Sequence, residues 1–221
     1  MPHRLPARLT STARTSELAR GRETRRKRII AAAARLASRG YDHCQIRSVA
    51  AAAELAPSTV YLYFPSKDDL LLACLHDWLQ DFDEGACSES HTSVDGYQRL
   101  LHVFELLTVK FSESPHLAEA MIRSYLYAQG PATEQADLVR TRIVGIFGNA
   151  MGEGFSVQLR QGVADMFTDV WTTNISVIAQ QRTTTPELMQ RLAHAIAAIR
   201  QRDSRRQPAP DCAGAANEEV A

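Results

Sequence analysis

The chain has 221 residues, a formal net charge of zero and a hydrophobic fraction of 45%, which leaves room for a small module followed by a larger domain. It contains no run of eighteen uncharged apolar residues and no apolar stretch near its start, so neither a membrane span nor a secretory signal is predicted. The four cysteines are scattered without a C-x-x-C pair. This spacing favours a reducing cytoplasm over a disulfide framework or a zinc site.

The zero net charge conceals an uneven distribution along the chain. Residues 1–70 hold 13 Lys and Arg against 6 Asp and Glu, a net charge of +7, and residues 71–221 hold the balancing −7. A basic end joined to an acidic remainder indicates a polyanionic partner for the first part only.

The first residues lack the apolar content of a packed segment. Residues 1–22 mix Pro, Ser, Thr and Arg, so they are predicted to form a disordered basic arm that either adds phosphate contacts or has no role. Thr24 is the predicted N-cap of the first helix, and Gly40 marks its end. Residues 25–28 are all basic and lie in the first turn, where a phosphate would offset their unfavourable place on the helix dipole. A solvated helix face explains them as well.

Residues 46–72 organise the rest of the chain, because they predict two short helices, a turn and a longer third helix. Pro57 suits the first position of the second helix, and Ser66 is the predicted cap of the next one, with Asp68 in its first turn. The small apolar residues that let crossed helices approach closely are Val49, Ala50, Ala53, Leu55 and Val60. The pattern indicates a helix-turn-helix with a recognition helix on its second arm, although an ordinary alanine-rich hairpin has the same outline.

The end of this stretch carries a more specific pattern. It reads Tyr61-Leu62-Tyr63-Phe64-Pro65-Ser66-Lys67 and is followed by Leu70-Leu71. Over residues 24–72 the chain resembles the TetR family of bacterial transcription regulators, whose signature this is. The family usually has glycine in the turn where this chain has Glu54, and a left-handed backbone there costs a side chain roughly 1 kcal/mol or more.

The resemblance implies which side chains touch DNA. The positions that commonly do so in the family are Arg47, Ser58, Thr59, Tyr61, Tyr63 and Lys67. Hydroxyl groups, an aromatic edge and a point charge near a helix start agree with that role. Phe64 is assigned to the core, and Leu62 either contacts a thymine methyl group or is simply exposed.

Beyond this unit the sequence predicts helices and no strands. A fourth helix from Lys67 to about Glu84 is the natural lever to the following part, and residues 85–96 form the predicted linker. The fold class is therefore all-α. An N-terminal three-helix helix-turn-helix DNA-binding domain, residues 23–70, precedes a larger helical ligand-binding and dimerisation domain, residues 71–200. Residues 201–221 are polar and predicted to be a disordered tail.

The last two predicted helices carry long apolar stripes. They consist of Val163, Met166, Phe167, Val170, Trp171, Asn174 and Ile178, and then of Leu188, Met189, Leu192, Ile196 and Ile199. Two such helices can pair with their copies in a second subunit, which predicts a homodimer with a four-helix interface. The alternative is that both stripes belong to the core of a single subunit.

In the TetR family the later helices enclose a small-molecule effector. The residues predicted to line that site here are Phe104, Leu107, Met121, Tyr125, Phe147, Met151, Trp171 and Asn174, although each of them also suits a plain core. Residues 116–128 and 169–179 are similar to the KstR branch of the family. That branch controls sterol and lipid catabolism and responds to steroid or acyl thioesters of coenzyme A. Arg123 either meets an anionic end of the effector or forms a surface ion pair.

Enzyme motifs are absent from the sequence. There is no G-x-S-x-G elbow, P-loop or Rossmann glycine pattern, and the histidines lack metal-binding spacing, so no catalytic residue, cofactor or metal is predicted. The prediction is a cytoplasmic homodimeric repressor that binds a palindromic operator in double-stranded DNA and is released by a hydrophobic effector. The alternatives are a helical lipid or acyl-CoA carrier and a protein-interaction adaptor, neither of which would bind DNA.

Overall fold

The computed structural model describes residues 8–86, 95–180 and 182–204. In chain order its elements are α1 (Arg8–Ala37), a 3₁₀ turn (Tyr41–His43), α2 (Ile46–Ala52), α3 (Pro57–Tyr63), α4 (Lys67–Ala86), α5 (Gly96–Ser112), α6 (Pro115–Leu126), α7 (Ala132–Met151), α8 (Val157–Ala179) and α9 (Thr185–Ser204). No strand occurs in these ranges, which confirms the all-α prediction. Among the helices described, none has the length and apolar character needed to cross a membrane.

The first three helices enclose a small apolar core. Ile29 of α1, Val49 of α2 and Val60 of α3 are fully buried, and Ala50 allows the close helix approach that the sequence predicts. Because α2 and α3 each have only seven residues, neither would be stable alone; α2 packs on α1, and α3 packs on α2. The helix-turn-helix is therefore held in place by its neighbours.

Helix α4 connects this DNA-binding unit to the remaining helices. It packs on α1 and also on α6 and α7, and its residues 70–75 are all buried. Its start is capped as predicted, because the backbone N–H of Asp69 donates to Ser66 Oγ at 3.1 Å while the Ser66 hydroxyl donates to the Asp69 carboxylate at 2.7 Å. Helix α4 therefore contributes to the packing of both parts of the chain.

The second core lies among α5, α7 and α8 and is rich in aromatic rings. Phe104 stacks on Phe147 with ring centroids 5.6 Å apart, and Phe167 meets both of them edge-on. Phe111 meets Trp171 edge-on at 5.1 Å. Such pairs add about 0.5–1.5 kcal/mol each beyond the area they bury, so this core favours one packed arrangement.

The prediction that the first helix begins at Thr24 is wrong, and so is the prediction of disorder over residues 8–22. Helix α1 begins at Arg8, and the Thr24 hydroxyl donates to the Arg20 carbonyl at 2.9 Å within the helix. Residues 8–22 contain no proline and include Arg, Ala and Leu, which are good helix formers. Such residues extend a helix that has already formed over the residues that follow them. Their low apolar content limits burial and does not prevent helicity. Residues 1–7 of the predicted arm lie outside the described residues.

The other predicted boundaries need smaller corrections. Helix α9 continues to Ser204, four residues into the predicted tail, and residues 205–221 lie outside the described residues. The predicted linker is narrower at both ends, because α4 includes Gly85 and Ala86 and α5 begins at Gly96. Asp95 caps α5 by accepting a hydrogen bond from the Tyr97 backbone N–H at 3.3 Å, which explains the early start. Residues 87–94 are not described.

Candidate DNA-binding surface and effector domain

The turn between α2 and α3 has a left-handed backbone at Glu54, where φ is 54°. Arg28 of α1 stabilises this turn, because its Nη2 donates to the Ala53 carbonyl at 2.6 Å and to the Glu54 carboxylate at 3.1 Å. Pro57 then occupies the first turn of α3, as predicted. The turn therefore has the left-handed backbone that glycine normally adopts, and the hydrogen bonds from Arg28 offset the cost of a side chain at this position.

Helix α3 buries one side and exposes the other. Val60 and Phe64 are buried against the small core, as predicted for Phe64, while Tyr61 is 53% exposed. Leu62 is exposed as well, at 84%. Four of the predicted DNA contacts lie on or next to this outer side: Arg47 and Ser58 are exposed, and Thr59 and Tyr63 are partly buried. The structure thus brings hydroxyl groups and aromatic edges together on one short helix, which is the chemistry that reads base edges in a groove.

Lys67, the sixth predicted DNA contact, interacts with Tyr41. Its Nζ donates to the Tyr41 carbonyl at 3.2 Å and lies 3.4 Å from the centroid of the Tyr41 ring. No sequence pattern predicts a functional role for Tyr41. Its position just after the helix-ending Gly40 was the only local signal, and nothing in the pattern links residue 41 to residue 67.

Tyr41 also joins the DNA-binding unit to α6. Its hydroxyl donates to Asp68 Oδ1 at 2.9 Å, and the same oxygen accepts from the Ser124 hydroxyl at 2.8 Å. Arg123 of α6 lies 4.3 Å from the centroid of the Tyr41 ring. Burial, followed by the hydrogen bond to Asp68, raises the pKa of Tyr41 to about 12, so the phenol is a hydrogen-bond donor at neutral pH.

The four basic residues in positions 25–28 divide into two pairs. Arg26 makes an ion pair with Asp77 of α4 at 3.3 Å, and Arg28 stabilises the turn, so both have structural partners. Arg25 and Lys27 are exposed and form no ion pair with a described residue. These two remain available to a phosphate, whereas the other two hold α1 to its neighbours.

Six of the eight predicted effector residues are buried in the second core: Phe104, Leu107, Met121, Phe147, Met151 and Trp171. Tyr125 and Asn174 are partly buried. The Asn174 amide donates to the Val170 carbonyl at 2.8 Å, and burial raises the pKa of Tyr125. The indole N–H of Trp171 is buried and has no acceptor among the described residues, which is costly for a donor.

Several cavities at the surface of the described residues are lined by other side chains. One of about 840 Å³ lies where the DNA-binding unit meets α6 and α8, and its walls include Tyr41, His116, Arg123, Tyr127 and Gln180. Another of about 420 Å³ lies between α5 and α9, and a third of about 470 Å³ between α7 and α8. An effector among the fully buried members of the predicted set, such as Phe104, Phe147 and Trp171, would have to separate the aromatic rings. Within the described ranges, no three His, Cys, Asp or Glu side chains are grouped to hold a metal ion.

Both parts of the chain match known family models. Residues 29–74 match the model described as "Bacterial regulatory proteins, tetR family", and residues 94–199 match "Tetracyclin repressor-like, C-terminal domain". The chain belongs to the TetR family. The first match covers the helix-turn-helix and the second covers the helices after the predicted linker.

Curated relatives and solved structures agree with this family. The chain is 32% identical to the HTH-type transcriptional repressor KstR of Mycobacterium tuberculosis, over 78% of this chain and 79% of that protein. It is also 32% identical to KstR of Mycolicibacterium smegmatis, over 85% and 94%. These matches confirm the resemblance to the KstR branch.

The structural neighbours share the fold at lower identity. A TetR transcriptional regulator from Rhodococcus sp. RHA1 aligns with a TM-score of 0.67 at 23% identity, covering 80% of this chain and 94% of the other. The regulator FadR from Bacillus subtilis, solved in complex with stearoyl-CoA, aligns with a TM-score of 0.51 at 21% identity, covering 75% and 94%. These two similarities concern the fold alone.

Proposed function

We propose that this protein is a cytoplasmic, homodimeric repressor that binds a palindromic operator and is released by a hydrophobic effector. The observation that supports it best is the outer side of α3, where Tyr61 and Ser58 are exposed while Val60 and Phe64 anchor the helix. In a TetR-family chain, such a side suits the major groove. The relatives named KstR are repressors, which supports repression over activation.

The proposed mechanism depends on the distance between two recognition helices. In a dimer, each α3 would lie in a major groove roughly 34 Å, or one helical turn, from its copy, so the operator should be a palindrome with that spacing. An effector that binds one arrangement of α4 better than another would shift the two helices out of register. The contacts of α4 with both cores support this route.

The proposed effector is a large hydrophobic molecule such as a steroid or an acyl-CoA thioester. The resemblance to the KstR branch supports this chemical class. The unpartnered indole N–H of Trp171 supports an effector with a hydrogen-bond acceptor, since such a group would remove the cost of the buried donor. Genes of sterol or lipid catabolism are the proposed targets.

The proposed dimer uses α8 and α9, with a change in which residues face the partner. Six of the twelve stripe residues, among them Phe167, Trp171 and Leu192, are buried within a single subunit, which agrees with the alternative interpretation of these stripes. Five others are partly buried, and Met166 is 37% exposed. A second subunit would therefore contact the stripe residues that the subunit itself leaves open to solvent, Met166 among them.

DNA selection followed by mutation tests the function. Duplexes bound by the protein are selected from a random library, and binding is then compared for wild type, Tyr61→Ala and Lys67→Ala, with sedimentation as the check on the dimer. The expected result is a palindromic site, weaker binding by both variants and an unchanged dimer. Unchanged binding by both variants would contradict the proposal that Tyr61 and Lys67 belong to the DNA-binding surface. A wild-type protein that selects no duplex and binds acyl-CoA would instead support the carrier alternative.

A further inference from the structure

The Lys67 ammonium is held in place before any DNA is bound. It donates to the Tyr41 carbonyl at 3.2 Å and lies 3.4 Å from the ring centroid, so the backbone and the side chain of Tyr41 both bind it. Both contacts come from the same residue, 26 positions away. A lysine side chain has several rotatable bonds, and two contacts at its end restrict most of them.

This restriction leaves Lys67 able to bind an anion. An ammonium group has three donors, and the single hydrogen bond to the Tyr41 carbonyl uses one. The side chain is partly exposed and forms no ion pair with a described carboxylate. Because ordering a flexible lysine on binding carries an entropic cost, an ammonium that is already ordered binds a phosphate at a lower cost.

We propose that Tyr41 is a positioning residue for DNA binding, because it holds the Lys67 ammonium where a DNA phosphate meets it. This inference rests on the proposed function, in which Lys67 contacts the operator backbone. The 3₁₀ turn, which lies outside the recognition helix, thereby contributes to the affinity for DNA. Tyr41 acts through Lys67 and does not itself touch DNA.

The same ring is also in contact with α6. Arg123 lies 4.3 Å from the ring centroid, and Ser124, which is 1% exposed, shares Asp68 Oδ1 with the Tyr41 hydroxyl. Contacts with α4 and α6 therefore fix the ring, and with it the position of the Lys67 ammonium.

A double-mutant cycle on the selected operator tests the coupling between Tyr41 and Lys67. Tyr41→Leu removes the ring and is expected to weaken binding about two- to tenfold, the cost of ordering one flexible side chain on binding. Tyr41→Phe keeps the ring and should restore most of that affinity. In a Lys67→Ala background, Tyr41→Leu should have no further effect. Lys67→Ala alone should reduce the slope of log K against log salt by about 0.9 for each phosphate that the Lys67 ammonium neutralises in the wild-type complex.

Controls and a direct measurement keep the test decisive. Tyr127→Leu makes the same change at an exposed tyrosine that lies outside the contacts of Lys67, and it should leave affinity unchanged. The ring current of Tyr41 should move the Lys67 ε-proton resonances upfield in the free protein and in the DNA complex, which tests the contact even if Tyr41→Leu does not fold.

Three results would overturn the inference. If Tyr41→Leu weakens binding equally with and without Lys67, or if the upfield shift disappears on DNA, then Tyr41 does not position Lys67 while the DNA-binding function stands. If Lys67→Ala binds the operator as wild type does, with the same salt dependence, then Lys67 is not a DNA contact and the assignment of this surface falls together with the inference.

Discussion

The DNA-binding unit and the effector domain differ in where their functional side chains lie. In the first, short helices with small residues expose Tyr61 and Arg47 and bury only an anchoring side. In the second, predicted ligand contacts such as Phe104 and Trp171 are fully buried against other rings. The comparison teaches that the side chains proposed to bind DNA are accessible in the free protein, whereas most of those proposed to bind an effector are part of the packed core.

The largest expected effect is on the stability of the aromatic core. Phe147→Ala leaves a cavity between two ring partners and should lower the free energy of unfolding by about 3–5 kcal/mol, measured by urea denaturation. Tyr61→Ala on the exposed side serves as the control and should change stability by less than about 0.5 kcal/mol. Similar destabilisation of both variants would contradict the contrast between the two regions.

The next effect concerns the contact that joins the two regions. Ser124→Ala removes a buried hydrogen bond to the Asp68 carboxylate and should cost about 1.5–3 kcal/mol of stability, because bonds to charged groups are among the stronger ones. Ser112→Ala removes a hydroxyl that donates only within α5, to the Thr108 carbonyl, and should cost less. Equal losses of stability in the two variants would mean that the hydrogen bond between α4 and α6 contributes no more than one within a single helix.

A third effect tests whether the DNA surface can change without disturbing the core. Tyr61→Ala should weaken operator binding by about 1–2 kcal/mol, the scale of an exposed aromatic contact to a base or phosphate. Competition with the selected duplex measures it at fixed salt. Leu62→Ala, on the neighbouring exposed residue, shows whether that side chain contributes as well. Binding that survives both changes would place the recognition surface elsewhere.

The smallest effect lies in the turn. Glu54→Gly should raise the free energy of unfolding by about 0.5–1 kcal/mol, because it relieves the left-handed backbone at φ 54° and this gain exceeds the contribution of an exposed ion pair. Glu54→Ala removes the same ion pair and keeps the strain, so it should not stabilise. Thermal unfolding of the two variants separates the contributions, and a stabilising alanine would show that the carboxylate is the unfavourable group.

Local patterns were sufficient wherever neighbouring residues define the structure. The cap at Ser66, the start of α3 at Pro57 and the burial of Phe64 follow from rotamers, dihedral preferences and spacing within a few residues, and the structure has each of them. The family signature lies in the same short stretch, so the DNA-binding unit could be predicted in detail. The one clear local error was the start of α1, where low apolar content was interpreted as disorder although the residues favour helix.

Contacts between distant residues required the folded chain. Tyr41, Asp68 and Ser124 meet across separations of 27 and 56 residues, and no periodicity in the sequence pairs them. The stripe on α8 shows the same limit, because apolar spacing predicts a buried side without specifying what covers it, and Phe167 proved to face the rings of α5 and α7. Hydrophobic burial is non-directional. Residue type and spacing therefore determine which residues leave water, and only the packing of the helices determines which of them meet.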